Sequence, residues 1–458
     1  MTELLREELR RRGDGAPEPP EAGGLWRAAR LARRRDRVLA AGLVLAAVGL
    51  VAAALPGLPV ARLTAEVAGS QSVRAVGVPD RIAAVPQRVL DRMEPTSRPG
   101  RAAAAYLTSD GRAVVVSATD GSYHRLRLAS LLERAARERS LALDGTWLAL
   151  SPNGRFVAYA WEEPPPEGQA ASTPAPTGLA VLDLTTGFEL TTPLQGGHCV
   201  VVTDLTWSSN NIWVLFRGLQ TTAWTGSRRS SGMAVFGRLD ARRMSLDQHA
   251  SPQQDVSAVT IDDAGTVAAT LSARDGELPP WAVRASAPDL NGDGVRSASP
   301  DGRHVLIGST QPSTLVLTAG NDRLSGRTIR IPETDYPEGA TVRPVGWVDD
   351  THAVAELVRV SDYDGSGFTW GGRNLVVVDV RGDRLTSVGA VDATYPDAGG
   401  IESLTLATGL MTLDRPTVHR PDPRWPWSTG RYLLVGGLLL LVGLLLVVLL
   451  RRRPPRLG

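Results

Sequence analysis

Hydrophobic positions along this chain fall into two patterns. Near the ends, Val38 to Leu55 and Leu433 to Leu450 are unbroken runs of 18 residues with no charge and no polar side chain. A helix of that length rises about 27 Å, close to the hydrocarbon thickness of a bilayer. Between the two runs, apolar residues alternate with polar ones in short stretches. That period of two belongs to half-buried β-strands.

Within residues 100–430 one unit recurs: an apolar strand, a turn of Ser, Asp, Asn and Gly, then a second apolar strand. It is seen in AYLTSDGRAVVVS (105–117), LALSPNGRFVAYA (148–160) and LTWSSNNIWVLF (205–216). It returns in VTIDDAGTVAATL (259–271), RSASPDGRHVLIG (296–308) and VGWVDDTHAVAEL (345–357). Asp-Gly and Asn-Gly supply the positive φ that a tight hairpin needs. Further strand pairs lie between these units, at 179–190, 233–246, 314–331 and 375–389. Four strands per repeat at a period of 40–50 residues is the pattern of β-propeller blades. The expected fold is therefore all-β, a seven-bladed propeller flanked by two transmembrane α-helices. Six or eight blades are the alternatives, and a β-sandwich pair is the rival fold. The seventh blade is expected to combine 400–413 with an N-terminal strand such as 80–86, which would close the ring and leave no open edge. Two stretches depart from the repeat. Residues 162–177 are rich in Pro and Ala and read as a blade loop, and 128–139 has the Leu and Arg spacing of a short surface helix.

Charge fixes an orientation for the apolar runs. Residues 1–37 hold ten arginines and seven acids, and six of the arginines crowd the first run. The tail adds Arg451, Arg452, Arg453 and Arg456. The positive-inside rule then puts both termini in the cytoplasm and the middle region outside. The expected organisation is a basic tail over 1–37, a transmembrane helix over 38–60, an extracytoplasmic propeller over 61–430, a second transmembrane helix over 431–450 and a basic tail over 451–458. The membrane lipid bilayer is thus the first expected partner. Ala52 to Ala54 also offer a small-residue cleavage site, the mark of a signal peptide, but the charged lead is long for one. The whole-chain charge is +2, so the basic tails leave the middle region negative. No nucleic-acid partner is expected. Neither apolar run contains an ionisable group, which argues against a transport path. Every basic residue is Arg, with no Lys, which together with the Ala and Gly content reads as the composition of a high-GC bacterium.

The turns Ser151-Pro152-Asn153-Gly154-Arg155 and Ser299-Pro300-Asp301-Gly302-Arg303 resemble those of TolB-like and WD-repeat-like propellers of bacterial envelopes. The resemblance spans most of residues 100–415 and implies a fold, not an activity. The N-terminal tail resembles, in layout alone, the cytoplasmic leaders of actinobacterial membrane anti-sigma-like proteins.

Candidate chemistry is sparse. Asp289, Asn291 and Asp293 stand at alternate positions before Gly294, with Val295 next, the front half of a calcium-binding loop. The stretch resembles loops of EF-hand type and of integrin-type propellers. It departs from them at the twelfth position, where Pro300 stands in place of a bidentate carboxylate. Asp362 to Gly367 is a poorer copy. Calcium is accordingly the one candidate cofactor. The six histidines are scattered without zinc-ligand spacing. Cys199 is single and has no internal disulfide partner. Trp147, Trp161, Trp207, Trp213 and Trp347 fall within the expected strands, where blade packing is expected. No catalytic motif is found.

The expected function is a non-enzymatic binding or sensing platform at the cell envelope, holding a protein, peptide or glycan ligand on a propeller face. One alternative is a calcium-dependent hydrolase or lactonase-like enzyme. Another is a transmembrane regulator whose N-terminal tail binds a transcription factor.

Overall fold

A computed structural model of the chain describes residues 75–108, 110–129, 147–163, 176–195, 199–221, 224–225, 228–229, 233–251, 256–271, 277–284, 296–308, 314–319, 327–330, 340–363, 368–382, 384–392, 401–421 and 423, with the single positions Glu7, Gly437 and Gly443. Two compact units divide the chain. Residues 70–425 form one, and 1–69 with 426–458 form the other. The expected membrane segments lie outside the described residues. No helix among the described residues is long and apolar enough to cross a membrane.

The unit over 70–425 is a β-propeller. From the axis outward, its first sheet holds Ile401–Leu406, Ala102–Thr108, Ala113–Ser117 and Tyr123–Arg125. The second holds Leu148–Leu150, Phe156–Glu162, Thr177–Asp183 and Glu189–Pro193. The third holds Cys199–Trp207, Trp213–Thr221, Ala234–Asp240 and Ser245–Ser251. The fourth has three strands, Val256–Ile261, Val267–Leu271 and Ala282–Arg284. The fifth holds Arg296–Ala298, His304–Gly308, Thr314–Ala319 and Arg327–Arg330. The sixth holds Ala340–Trp347, His352–Tyr363, Phe368–Asp379, Arg384–Asp392 and Arg81–Ala83. The innermost strands of the six sheets neighbour one another in a closed circle.

Among the described residues, five full blades and one three-stranded sheet stand in place of the seven blades expected. All six repeated hairpins form, and so do the four further strand pairs. Among the described residues the two expected halves of the seventh form no sheet of their own. Its C-terminal half, Ile401–Leu406, is the inner strand of the first blade and pairs with Ala102–Thr108. Its N-terminal half, Arg81–Ala83, is the outer strand of the sixth and runs parallel to Arg384–Asp392. The chain ends therefore clasp the ring twice, in adjacent blades.

Packing follows the alternation of the strands. One cluster joins Val78, Ile82, Leu90, Tyr106, Val354, Leu375 and Leu404 across the first and sixth blades. Another seats Trp207, Phe216 and Val214 against Ala158 and Leu179 of the second blade. Burial of such side chains stabilises by roughly 1.5–3 kcal/mol each. The tryptophans pack as expected. Trp207 and Trp347 are buried, and the Trp207 Nε1–H donates to the Ala149 carbonyl of the neighbouring blade at 3.0 Å. Trp213 lies under the Arg238 guanidinium at 4.7 Å. Cys199 begins a strand.

Candidate functional site

Antiparallel blades put their connections at two ends of the ring. At one end lie the turns between first and second strands and between third and fourth strands, and these are short. The innermost turns share one network. Ser151 Oγ donates to Asn153 Oδ1 at 2.8 Å, and the amides of Phe156 and Arg155 donate back to Ser151 Oγ and Asn153 Oδ1. Ser299 and Asp301 repeat it with the amides of His304 and Arg303. Ser208 and Asn210 repeat it again with Trp213 and Ile212. In the fourth sheet Asp262 alone accepts the Thr266 amide at 2.7 Å, and in the sixth Asp349 accepts those of Thr351 and His352. The positive-φ position is Gly154, Gly302 and Gly265 in three of these turns, and Asn211 with φ 62° in another.

The turns also hold one another. The Asn153 amide donates to Asn211 Oδ1 of the next blade, and the Asn210 amide to Asp263 Oδ1, both at 2.7 Å. Asp263 N–H donates to the Pro300 carbonyl at 3.2 Å, and Asp301 N–H to Asp350 Oδ1 at 3.1 Å. Gly409 N–H donates to the Pro152 carbonyl at 2.9 Å, where the C-terminal strand ends. Burial, with the charges of Asp262 and Asp350 adding, pushes the Asp263 carboxyl above its usual range despite the Asn210 amide.

At the other end lie the connections between second and third strands and between successive blades. Many are longer, such as 163–176 and 285–295. The hairpin at 108–112 is at this end, because the inner strand of its blade comes from the C-terminus. The calcium-loop candidates Asp289, Asn291, Asp293 and Val295 fall in the 285–295 connection, outside the described residues, as do 364–367 of the poorer copy and most of the helix expected over 128–139.

Two polar clusters sit in short turns. Ser122 Oγ lies 2.9 Å from His124 Nε2 and donates to Asp120 Oδ1 at 2.7 Å. An activated serine needs the opposite order, with its proton on the histidine and the carboxylate behind the ring. Here the carboxylate accepts the hydroxyl's hydrogen bond and caps the turn. Burial would raise Asp120, but the Ser122 hydroxyl and amide and Ser117 hold its carboxyl down to about 2. Asp349 and Thr351 both face the same nitrogen, Nδ1, of His352 at about 3 Å. That arrangement likewise fixes a turn. Among the described residues no group of three or more His, Cys, Asp or Glu is placed to hold a metal.

A groove of about 660 Å³ opens on the side wall, where the incoming and outgoing segments cross the sixth blade. Asp80, Arg81, Arg373, Asp392, His419 and Arg420 line it. Carboxylates face arginines and a histidine there. His419 Nδ1 is 2.8 Å from Asp80 Oδ2, and Arg81 meets Asp392 at 3.2 Å. Arg373 is buried and meets the buried Glu356 at 3.2 Å. Arg420 donates to the carbonyls of Ala75 at 2.6 Å and Ala118 at 3.0 Å, which ties the outgoing segment to the incoming one. Two backbone bonds, Val418 N–H to the Val78 carbonyl and Asp80 N–H to the Val418 carbonyl, complete a short parallel pair.

No family model and no curated protein matches the chain. Among solved structures it is similar to a periplasmic gluconolactonase of Pseudomonas aeruginosa, at 13% identity and a TM-score of 0.37 over 67% of this chain and 98% of that one. A protein from Lactobacillus plantarum is similar at 12% identity and a TM-score of 0.37, over 66% of this chain and 98% of that one. A prolyl endopeptidase is similar at 10% identity and a TM-score of 0.36; the match covers 61% of this chain and only 38% of that one.

Proposed function

We propose that the chain is a membrane-tethered propeller at the cell envelope, with the long-connection end of its ring serving as a non-enzymatic binding or sensing surface for a protein, peptide or glycan. One observation carries the reading. The short, mutually bonded turns gather at one end, and the longer connections gather at the other. Loops held by a rigid scaffold are where recognition is usually built. The tether rests on the two uncharged runs and their arginine flanks.

The test is photo-crosslinking in intact cells, with the reactive residue placed at Asp110 on the long-connection end or at Thr186 on the short-turn end. Discrete adducts are expected from position 110 only. Equal yields from both ends would remove the reading. Tags at the two chain ends should resist external protease in the same cells.

A second reading, a calcium-dependent hydrolase, rests on the alternate acids of the connection that joins the fourth and fifth sheets at the same end. Calorimetric titration of the protein with calcium checks it. Binding abolished by Asp293→Ala, together with turnover lost on chelation, would favour the enzyme.

A further inference from the structure

We propose that the short-turn end of the ring docks on an anionic phospholipid surface. The inference builds on the tether reading, which brings a bilayer near the domain, and adds which end faces it.

The turns at this end form two circles. The inner circle, around the axis, carries Asp262, Asp263, Asp349 and Asp350, several of which accept turn amides. The outer circle, together with the segment before the first blade, carries Arg98, Arg242, Arg243, Arg381 and Arg384, all exposed. In the second, third and sixth blades the acids of the outer turns lie deeper than these guanidinium groups, while Asp120 in the first blade's outer turn is exposed. Asp240 is 9% exposed and accepts the Arg242 and Arg243 amides, while Arg243 is 83% exposed. Asp183 is 11% exposed, accepts the Thr185 amide and pairs with Arg155. Asp379 accepts the Arg381 and Gly382 amides. Among the described residues the outer circle therefore exposes five arginines against one carboxylate, Asp120, its other acids serving as caps.

Apolar groups stand on the same rim. Phe188 is 63% exposed in the outer turn of the second blade, and Leu413 is 51% exposed in the outgoing segment. Val76, where the incoming segment reaches the ring, is 39% exposed. Arginines interleaved with isolated Phe, Leu and Val side chains suit lipid phosphates with shallow insertion between headgroups. The arginine stems can lie along the surface while the heads meet phosphate.

The outer strand Glu189–Pro193 supplies a ruler. Position 188 is at the short-turn end, and position 193 is about 17 Å up the strand. The full-length protein, in a Cys199→Ser background, receives a single cysteine in place of Phe188 or Pro193, carrying an environment-sensitive fluorophore. It is reconstituted into nanodiscs of phosphatidylglycerol or phosphatidylcholine that contain a spin-labelled quencher lipid. Quenching is expected at 188 and not at 193, and in phosphatidylglycerol far more than in phosphatidylcholine. With Arg242→Ala and Arg243→Ala combined, partitioning of the same labelled chain onto preformed phosphatidylglycerol vesicles should fall about tenfold. Equal quenching at the two positions, or no difference between the two lipids, overturns the docking. Failure to enter discs would instead count against the tether, and the vesicle assay would still decide the docking.

Discussion

The two ends of this ring obey different rules. At the short-turn end, side-chain oxygens of Ser, Asp and Asn absorb turn amides, and the turns of the second to fifth sheets each donate to the next. Backbone groups there have protein partners, so the end behaves as one bonded hoop. At the long-connection end, strands hand over to segments of up to 22 residues, such as 126–147, with no repeated motif. A propeller can keep its blades in register from one end alone and leave the other free to vary. The lesson is that conserving geometry and varying chemistry can be assigned to opposite faces of the same strands.

That contrast can be broken most severely at Gly154. Its φ is +72°, and a Cβ there would overlap the Ala102 carbonyl at the seam of the first and second blades. Gly154→Val should cost about 3 kcal/mol or more in denaturant unfolding. Next in size is the closing strand. Leu406 is 3% exposed, and Leu406→Ala should cost about 2–4 kcal/mol, read as a lower midpoint with an unchanged slope. Third come the hydroxyls of the hoop. Ser151→Ala, Ser208→Ala and Ser299→Ala should each cost about 1–2 kcal/mol, and by similar amounts, although only two of the turns carry Pro and Gly. A null effect at Ser208 alone would show that the bonded pattern is not what the turns share.

Acid should probe the same end. Asp183 and Asp120 are held below the ordinary carboxylate value, chiefly against their burial, by Arg155 and Thr185 and by Ser122 and Ser117 respectively. Groups with depressed folded values contribute stability above the unfolded value, and lose it as pH falls through the folded one. For Asp120 that window is about pH 4 to 2. Thermal midpoints should fall over it in the wild type and fall less steeply in Asp183→Asn. The smallest effect belongs to the other end. Removing 166–173 should shift stability by only about 0.5 kcal/mol, because loop closure depends weakly on length. A loss as large as that at Gly154 would erase the contrast.

How far this was legible beforehand depends on range. Hairpins were readable because period, β-branching and Asp-Gly or Asn-Gly turns are local. The blade number was not. Dividing the outer length by an average repeat counted long connections as strands, and so implied a seventh blade. The two closing strands were expected near 80–86 and 400–413, but their partners were hidden. Arg81–Ala83 and Arg384–Asp392 lie about 300 residues apart, and no local pattern announces a parallel pairing. The hoop was half visible. Judged by Pro and Gly, the turn at 208–212 looks degenerate, yet Ser at its first position and Asn at its third carry the bonds. Of the candidate chemistry, the calcium-loop residues lie outside the described structure. The side-wall groove had no sequence signal, since its lining gathers from both ends of the domain.

The parallel clasp between 78–80 and 417–420 has a mechanical meaning. Tension applied to the two ends of the domain pulls these strands along their length in opposite senses. Their backbone bonds are then loaded together in shear instead of being unzipped one after another. Load applied through the two ends of the domain meets this clasp before it reaches the blades.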